Sequence, residues 1–151
     1  MKDYLKIKKQ LLDACVEFVE DKRTTIAKII ASSKNDLLSE TKSSAGDKHE
    51  TGRAMIQLEM EKAGQQLAGV NVMTEVLDRV EIEKTSETVC LGSLIKTTKG
   101  TYFLAVSVGQ IKVENDTYFV VSSQSPVGKQ LLGKKNGDNI PFNKAKIISI
   151  F

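Results

Sequence analysis

Apolar positions in the first half of the chain recur in steps of threes and fours. They fall at Val16, Val19, Ile26, Ile30 and Leu37, and again at Ile56, Met60, Ala63, Leu67, Val70 and Leu77. Such spacing puts each set on one stripe of a helix, as in a two-helix coiled coil. Between the runs lies a polar break, Ser43 to Arg53, which contains turn-forming residues and the helix-breaking Gly46. Folding the chain back at this break pairs Leu37 with Ile56, Ser33 with Met60, Ile30 with Ala63, Ile26 with Leu67 and Val16 with Leu77. All five pairs share one axis, between Gly46 and Asp47. The pattern therefore predicts a long antiparallel helical hairpin with its tip near 43–53. One helix would run from near Asp3 to about Ser39, the other from Asp47 or Lys48 to about Glu83. Arms of about 33 residues would reach on the order of 50 Å. In the first helix Leu5, Leu12, Val19 and Ile26 recur at sevens, while Cys15, Val16, Ile29 and Ile30 fill the half steps. Thr24 and Thr25 are mediocre helix formers, so packing must carry that turn. Gly64 and Gly69 each cost the second helix roughly 1 kcal/mol relative to alanine, and a kink or fraying is expected near Gly69 to Asn71.

After a linker at Lys84 to Thr88 the period changes to two. Val89, Leu91 and Ser93 with Leu94 and Ile95 predict a first strand, and Lys99-Gly100 a tight turn into Tyr102 to Val106. A strand at Ile111 to Val113 turns through Glu114-Asn115-Asp116 into Tyr118 to Val121. Ser125-Pro126 is a helix-start signal, a cap residue followed by proline at the first helical position, and Gly133 closes a short helix through Leu131 and Leu132. The Asn136-Gly137-Asp138 turn leads to Ile140-Pro141-Phe142 and a last strand, Lys146 to Phe151. The expected fold class is α+β in two parts, a helical hairpin over 1–84 and a compact strand-rich module over 85–151.

Composition narrows the chemistry. A net charge of +3, from 22 cations interspersed with 19 anions, argues against bulk nucleic-acid binding. No window approaches the roughly 20 apolar residues that span a bilayer, so no membrane partner is expected and a soluble, cytoplasmic protein is. Cys15 on the helical stripe and Cys90 in the first predicted strand, with no CxxC pair, read as two reduced buried thiols. His49 is the sole histidine, which leaves a Ser-His-Asp or Cys-His site elsewhere without its base and a zinc site short of ligands. With no phosphate loop of the GxxxxGK[ST] type either, no small-molecule substrate is expected.

Two stretches combine residues in a telling order. In the polar break, Asp47-Lys48-His49-Glu50 has the form of a capping box, Asp47 accepting from the helix start and Glu50 returning the contact. The same two carboxylates, three residues apart, are hard oxygen ligands suited to magnesium. In the second half, Ser125-Pro126-Val127-Gly128-Lys129-Gln130-Leu131-Leu132-Gly133-Lys134-Lys135-Asn136-Gly137-Asp138 joins the helix start to the Gly-Asp turn. Lys134 and Lys135 follow the helix C-terminus, where the dipole favours cations.

These two stretches resemble the Gre family of bacterial transcript-cleavage factors, which pair an N-terminal helical hairpin with an FKBP-like C-terminal domain. Ser-Pro, a short helix ending in Leu-Gly-Lys and a Gly-Asp turn match the family's C-terminal signature. Gly46-Asp47-Lys48-His49-Glu50 is similar to its tip. Domain order, hairpin length and chain length agree, so the resemblance covers nearly the whole chain, although only the C-terminal signature is specific. It implies a non-enzymatic transcription elongation factor that binds RNA polymerase. The C-terminal domain would dock through Ser125, Pro126, Lys129, Gly133 and Lys134, and the hairpin would enter the secondary channel. There Asp47 and Glu50 would help hold Mg2+, shared with the polymerase and not bound tightly by this chain alone. The polymerase's own hydrolysis of backtracked RNA at its 3′ end would be stimulated, with Lys48, His49 and Arg53 as tip contacts. The chain departs from the family after Glu50, reading Thr51-Gly52-Arg53-Ala54 where Asn-Ala-Glu-Tyr is common. Two alternatives stand beside this reading, a non-cleaving regulator of the same channel and a coiled-coil adaptor unrelated to transcription. A prolyl isomerase is disfavoured, since fold does not carry function and the chain has no tryptophan to line such a pocket.

Overall fold

The computed structural model describes residues 2–42 and 46–151, with side chains for all of these except 40–42 and 46–50. Two long helices come first, α1 (Tyr4–Lys42) and α2 (Gly46–Asp78). Six strands and a short helix follow: β1 (Leu94–Thr97), β2 (Gly100–Ala105), β3 (Gly109–Val113), β4 (Asp116–Ser122), α3 (Pro126–Leu131), β5 (Asn139–Ile140) and β6 (Ala145–Ile150). The chain is α+β, as its change of period predicts. It divides into two compact units, one of Val19–Met73 and the other of Met1–Phe18 with Thr74–Phe151.

Within the first of these units α1 and α2 lie antiparallel. Val19, Ile26, Ser33, Ala63 and Val70 are buried, and Ile30, Leu37, Ile56, Met60 and Leu67 half-buried. The pairing axis near Gly46 and Asp47 has an independent support. Arg23 donates a 2.7 Å hydrogen bond to the Asn71 side-chain oxygen, a pair centred on Asp47. Thr24 and Thr25 turn their hydroxyls back onto the carbonyls of Glu20 and Asp21, both at 3.0 Å, which is how two weak helix formers sit mid-helix. α2 continues as helix through Gly69 and runs on to Asp78, short of the expected Glu83.

In the other unit the buried apolar residues of α1 are Ile7, Leu11 and Cys15, spaced by fours, while Leu5 and Val16 are about half exposed. The expected heptad through Leu5 and Leu12, and the pairing of Val16 with Leu77, are thus corrected. Steps of four advance about 40° each around a helix, so the buried stripe swings as it descends. It swings because the first turns of α1 also pack on the end of the sheet. Tyr4 stacks on Phe151 with ring centroids 3.6 Å apart, and the Lys8 ammonium donates to the Phe151 carbonyl at 3.1 Å.

The sheet has the order β3-β4-β2-β1-β6-β5, with β2 and β4 parallel and every other neighbouring pair antiparallel. One face carries Ile95, Tyr102, Leu104 and Ile147, which form a core with Val89, Leu131 and Ile140. A register slip between Lys96 and Thr97 lets Ile147 and Ile150, three residues apart, both serve that core. Phe103, Leu94 and Val120, of the opposite alternation, are fully buried as well. The first strand starts later than its alternation suggests. Residues 89–93 form a turn with Gly92 at φ +89°, and the Cys90 amide is held by the Ser93 hydroxyl at 2.9 Å, so Cys90 is a loop residue. Cys15 is fully buried, and that burial pushes its thiol up to about 12.

Two measurements check this description. Alkylation of the native protein near pH 8 will modify the half-buried Cys90 first, with Cys15 reacting only as fast as the protein opens, because the thiolate is the reactive form; mass spectrometry of the labelled peptides reads the order. A double-mutant cycle of Arg23→Ala and Asn71→Ala will give a coupling of about 0.5 kcal/mol in urea unfolding, whereas an unpaired register gives none.

Candidate functional site

The motif Ser125 to Asp138 is built almost wholly from main-chain hydrogen bonds. Ser125 caps α3 with φ −71° and ψ 158°, its hydroxyl accepting from the Gly128 amide at 3.0 Å and donating to the Ser122 carbonyl at 2.6 Å. Pro126 follows at the first helical position, where no amide is needed. Gly128 lies so close to the end of β4 that a Cβ there would sit 1.8 Å from the Ser122 oxygen. Only glycine fits.

At the other end of α3, Gly133 takes φ +80°, and its amide donates to the Val89 carbonyl at 2.9 Å. The Val89 amide in turn donates to the Lys134 carbonyl at 2.8 Å, and Thr88 bridges to Lys135. Asp138 accepts from the Lys135 amide at 2.8 Å, while the Gly137 amide donates to Ile147 and the Ile147 amide to Asp138. The motif thus ties α3 to residues 88–89 on one side and to β6 on the other. What it leaves outward is Pro126, Lys129 and Gly133, all exposed, with Ser125 and Lys134 half-buried. Beside them Leu132 is about half exposed, and the Gln130 side chain accepts from the Phe142 amide at 2.7 Å. Of these five residues Lys129 and Lys134 are cations.

Asp47, Lys48, His49 and Glu50 fall in the opening turn of α2, which begins at Gly46; their side chains lie outside the described residues. Arg53, one turn further on, is described. It is half-buried, and its Nε is shielded from solvent with no hydrogen-bond partner among the described residues. Among those residues no group of three or more His, Cys, Asp or Glu side chains is arranged to hold a metal ion. No helix among them is long and apolar enough to cross a membrane.

One buried cation escapes a sequence reading. Lys8 is among four lysines in the first nine residues, and nothing in that run marks it as the one taken into the fold. It is 2% exposed, and burial lowers its pKa from the usual 10.5.

Comparison with known proteins adds no relatives: no protein-family model matches the chain, and no curated protein does.

Cap and glycine have separable costs. Ser125→Ala will lower stability by about 1 kcal/mol, and Gly128→Ala by about 3 kcal/mol or more because backbone must move. Urea unfolding of the two variants will rank them in that order; equal effects would mean the close approach to Ser122 is easily relieved.

Proposed function

We propose that this protein is a Gre-like transcription elongation factor. It binds RNA polymerase through an FKBP-like second module and inserts its hairpin into the secondary channel, where it stimulates cleavage of backtracked RNA. The observation that carries the reading is the Ser125 to Asp138 motif, which resembles the family's C-terminal signature and is held by main-chain hydrogen bonds with Pro126, Lys129 and Gly133 left exposed. Support also comes from a helical hairpin that precedes an α+β module, and from the Gly46-Asp47 and Glu50 spacing at the hairpin's reversal.

In this reading each residue has a defined task. Ser125, Pro126 and Gly133 shape the docking loop, and Lys129 with Lys134 offer cations to an acidic face of the polymerase. At the tip, Asp47 and Glu50 supply hard carboxylate oxygens for a magnesium ion that the polymerase also holds. When bound, that magnesium supplies polarisation of a water and charge relief at the departing oxygen of an in-line displacement. Two carboxylates alone make a poor magnesium site, so the protein is silent without the polymerase. Lys48 and His49 add positive and hydrogen-bonding capacity toward RNA phosphate. One observation favours a second reading, a channel occupant that regulates without cleaving: Arg53 puts a cation, its Nε without a hydrogen-bond partner among the described residues, where the family commonly has an acid.

Adding the purified protein and magnesium to stalled, backtracked polymerase complexes with labelled RNA will shorten the transcript from its 3′ end. Asp47→Ala with Glu50→Ala will lower the rate by about a hundredfold or more, a typical cost of lost charge stabilisation, and leave co-elution with polymerase intact. Binding without shortening by the wild type would establish the non-cleaving regulator. Failure to bind polymerase would discard both readings and leave an adaptor.

A further inference from the structure

The net charge of +3 is unevenly spread along the chain. Residues 94–151 hold eight lysines, no arginine and three carboxylates, Glu114, Asp116 and Asp138. Pairing of β1 with β6 gathers four of those lysines, distant in sequence, at one end of the two strands. The Thr98 amide donates to the Lys146 carbonyl and the Lys146 amide to the Thr98 hydroxyl, both at 3.0 Å, so the Thr98-Lys99 turn is bound to the start of β6. Lys96 and Lys146 share the sheet face opposite Ile95 and Ile147, with Cα atoms about 8 Å apart by strand spacing. Lys99 follows Thr98, and Lys144 stands two residues before Lys146 in the β5–β6 turn, at φ 59°. All four side chains are exposed, and among the described residues none of them forms an ion pair. Glu114 and Asp116 lie at the β3–β4 turn, toward the far edge of the sheet. Asp138, nearer by, turns its carboxylate back onto the Lys135 amide at 2.8 Å. Cations spaced by about one screening length repel one another, and a polyanion relieves that repulsion.

An aromatic ring stands beside them. Phe142 is 57% exposed and lies two residues before Lys144 in the same turn. The turn is held at both ends, the Phe142 amide by the Gln130 side chain at 2.7 Å and the Lys144 amide by the Ile140 carbonyl at 3.0 Å. We propose that this patch binds single-stranded nucleic acid without sequence preference, with Lys96, Lys99, Lys144 and Lys146 along the phosphates and a base stacked on Phe142. Lysines are point charges on flexible stems, which suit a phosphate track better than bidentate recognition. An exposed ring beside such a track is what unpaired bases use, whereas a duplex hides its base faces. Four phosphate contacts make a weak local site, which an overall charge of +3 does not preclude. The patch is separate from the hairpin tip, and it stands whether or not the protein binds polymerase.

Fluorescence anisotropy of labelled dT12 and rU12, titrated with the full-length protein, tests this. Both strands will bind with a Kd on the order of 0.1 mM near physiological salt, and log K will fall with log salt at a slope of about −3 for four phosphates. Tighter binding of rU12 assigns the patch to RNA and tighter binding of dT12 to DNA, either one supporting the single-strand site. Lys96→Gln with Lys146→Gln will bring the slope to about −1.5. Phe142→Ala will weaken binding about tenfold and leave the slope unchanged. Lys112→Gln, on the edge strand β3, will leave the Phe142 dependence intact and the slope near its wild-type value. Should a variant unfold, the comparison of single strand with duplex and with polyglutamate of matched length on the wild type decides alone. Equal or tighter binding of the duplex would overturn the proposal, and so would equal or tighter binding of polyglutamate, which assigns the patch to an acidic protein. A slope indifferent to the paired lysine substitutions, or full binding by Phe142→Ala, would do the same.

Discussion

The strand-rich module depends on one close approach. The first turn of α3 lies so near the end of β4 that the Ser122 carbonyl occupies the space a side chain at position 128 would need. That contact sets where α3 sits, and with it Leu131, which is fully buried in the core formed with Ile95, Leu104 and Ile147. It also forces the cap, because the Ser125 hydroxyl must serve both the Gly128 amide and the Ser122 carbonyl. A single short helix can then hold residues 88–89 and β6 in place through main-chain bonds at its far end. Rigidity of this kind is structural in origin, and it is also what a recognition surface requires.

The helices meet a different constraint. Between Val19 and Met73 their buried residues need satisfy only each other, and spacing by sevens suffices. In the first turns of α1 the same helix must also cover the end of a sheet. Ile7, Leu11 and Cys15 then follow one another by fours, and Leu5 and Val16 are left outside. Lys8 is carried inward by the same geometry, since a residue one position after Ile7 and three before Leu11 falls at the edge of the buried stripe. Its ammonium is met by the main-chain oxygen of Phe151.

A division of labour between the two modules underlies the functional reading. Residues of the α3 loop are almost all committed to holding the loop itself, so under the proposed function recognition would fall to what remains outward, Pro126, Lys129 and Gly133. Under the proposed function such a protein would act by delivering ligands to another molecule's active centre.

Much of this was legible in the chain itself. The hairpin's stripe from Ile56 to Leu77, the turns at Lys99-Gly100 and Glu114-Asn115, the Ser125-Pro126 helix start and the closing Gly133 are local signals, set by side-chain period or by the backbone angles a residue permits. Tertiary structure alone decided the rest. The start of β1 is set by residues 89–93, where Val89 pairs with residues 133–134 and Gly92 and Ser93 with Leu104, contacts no local pattern encodes. Cys90 consequently lies in a loop despite its alternating neighbours. The β6 slip, the swing of the α1 stripe and the burial of Lys8 have the same cause: each depends on a surface far away in sequence, and periodicity reports only that a residue can be buried, not which surface will bury it.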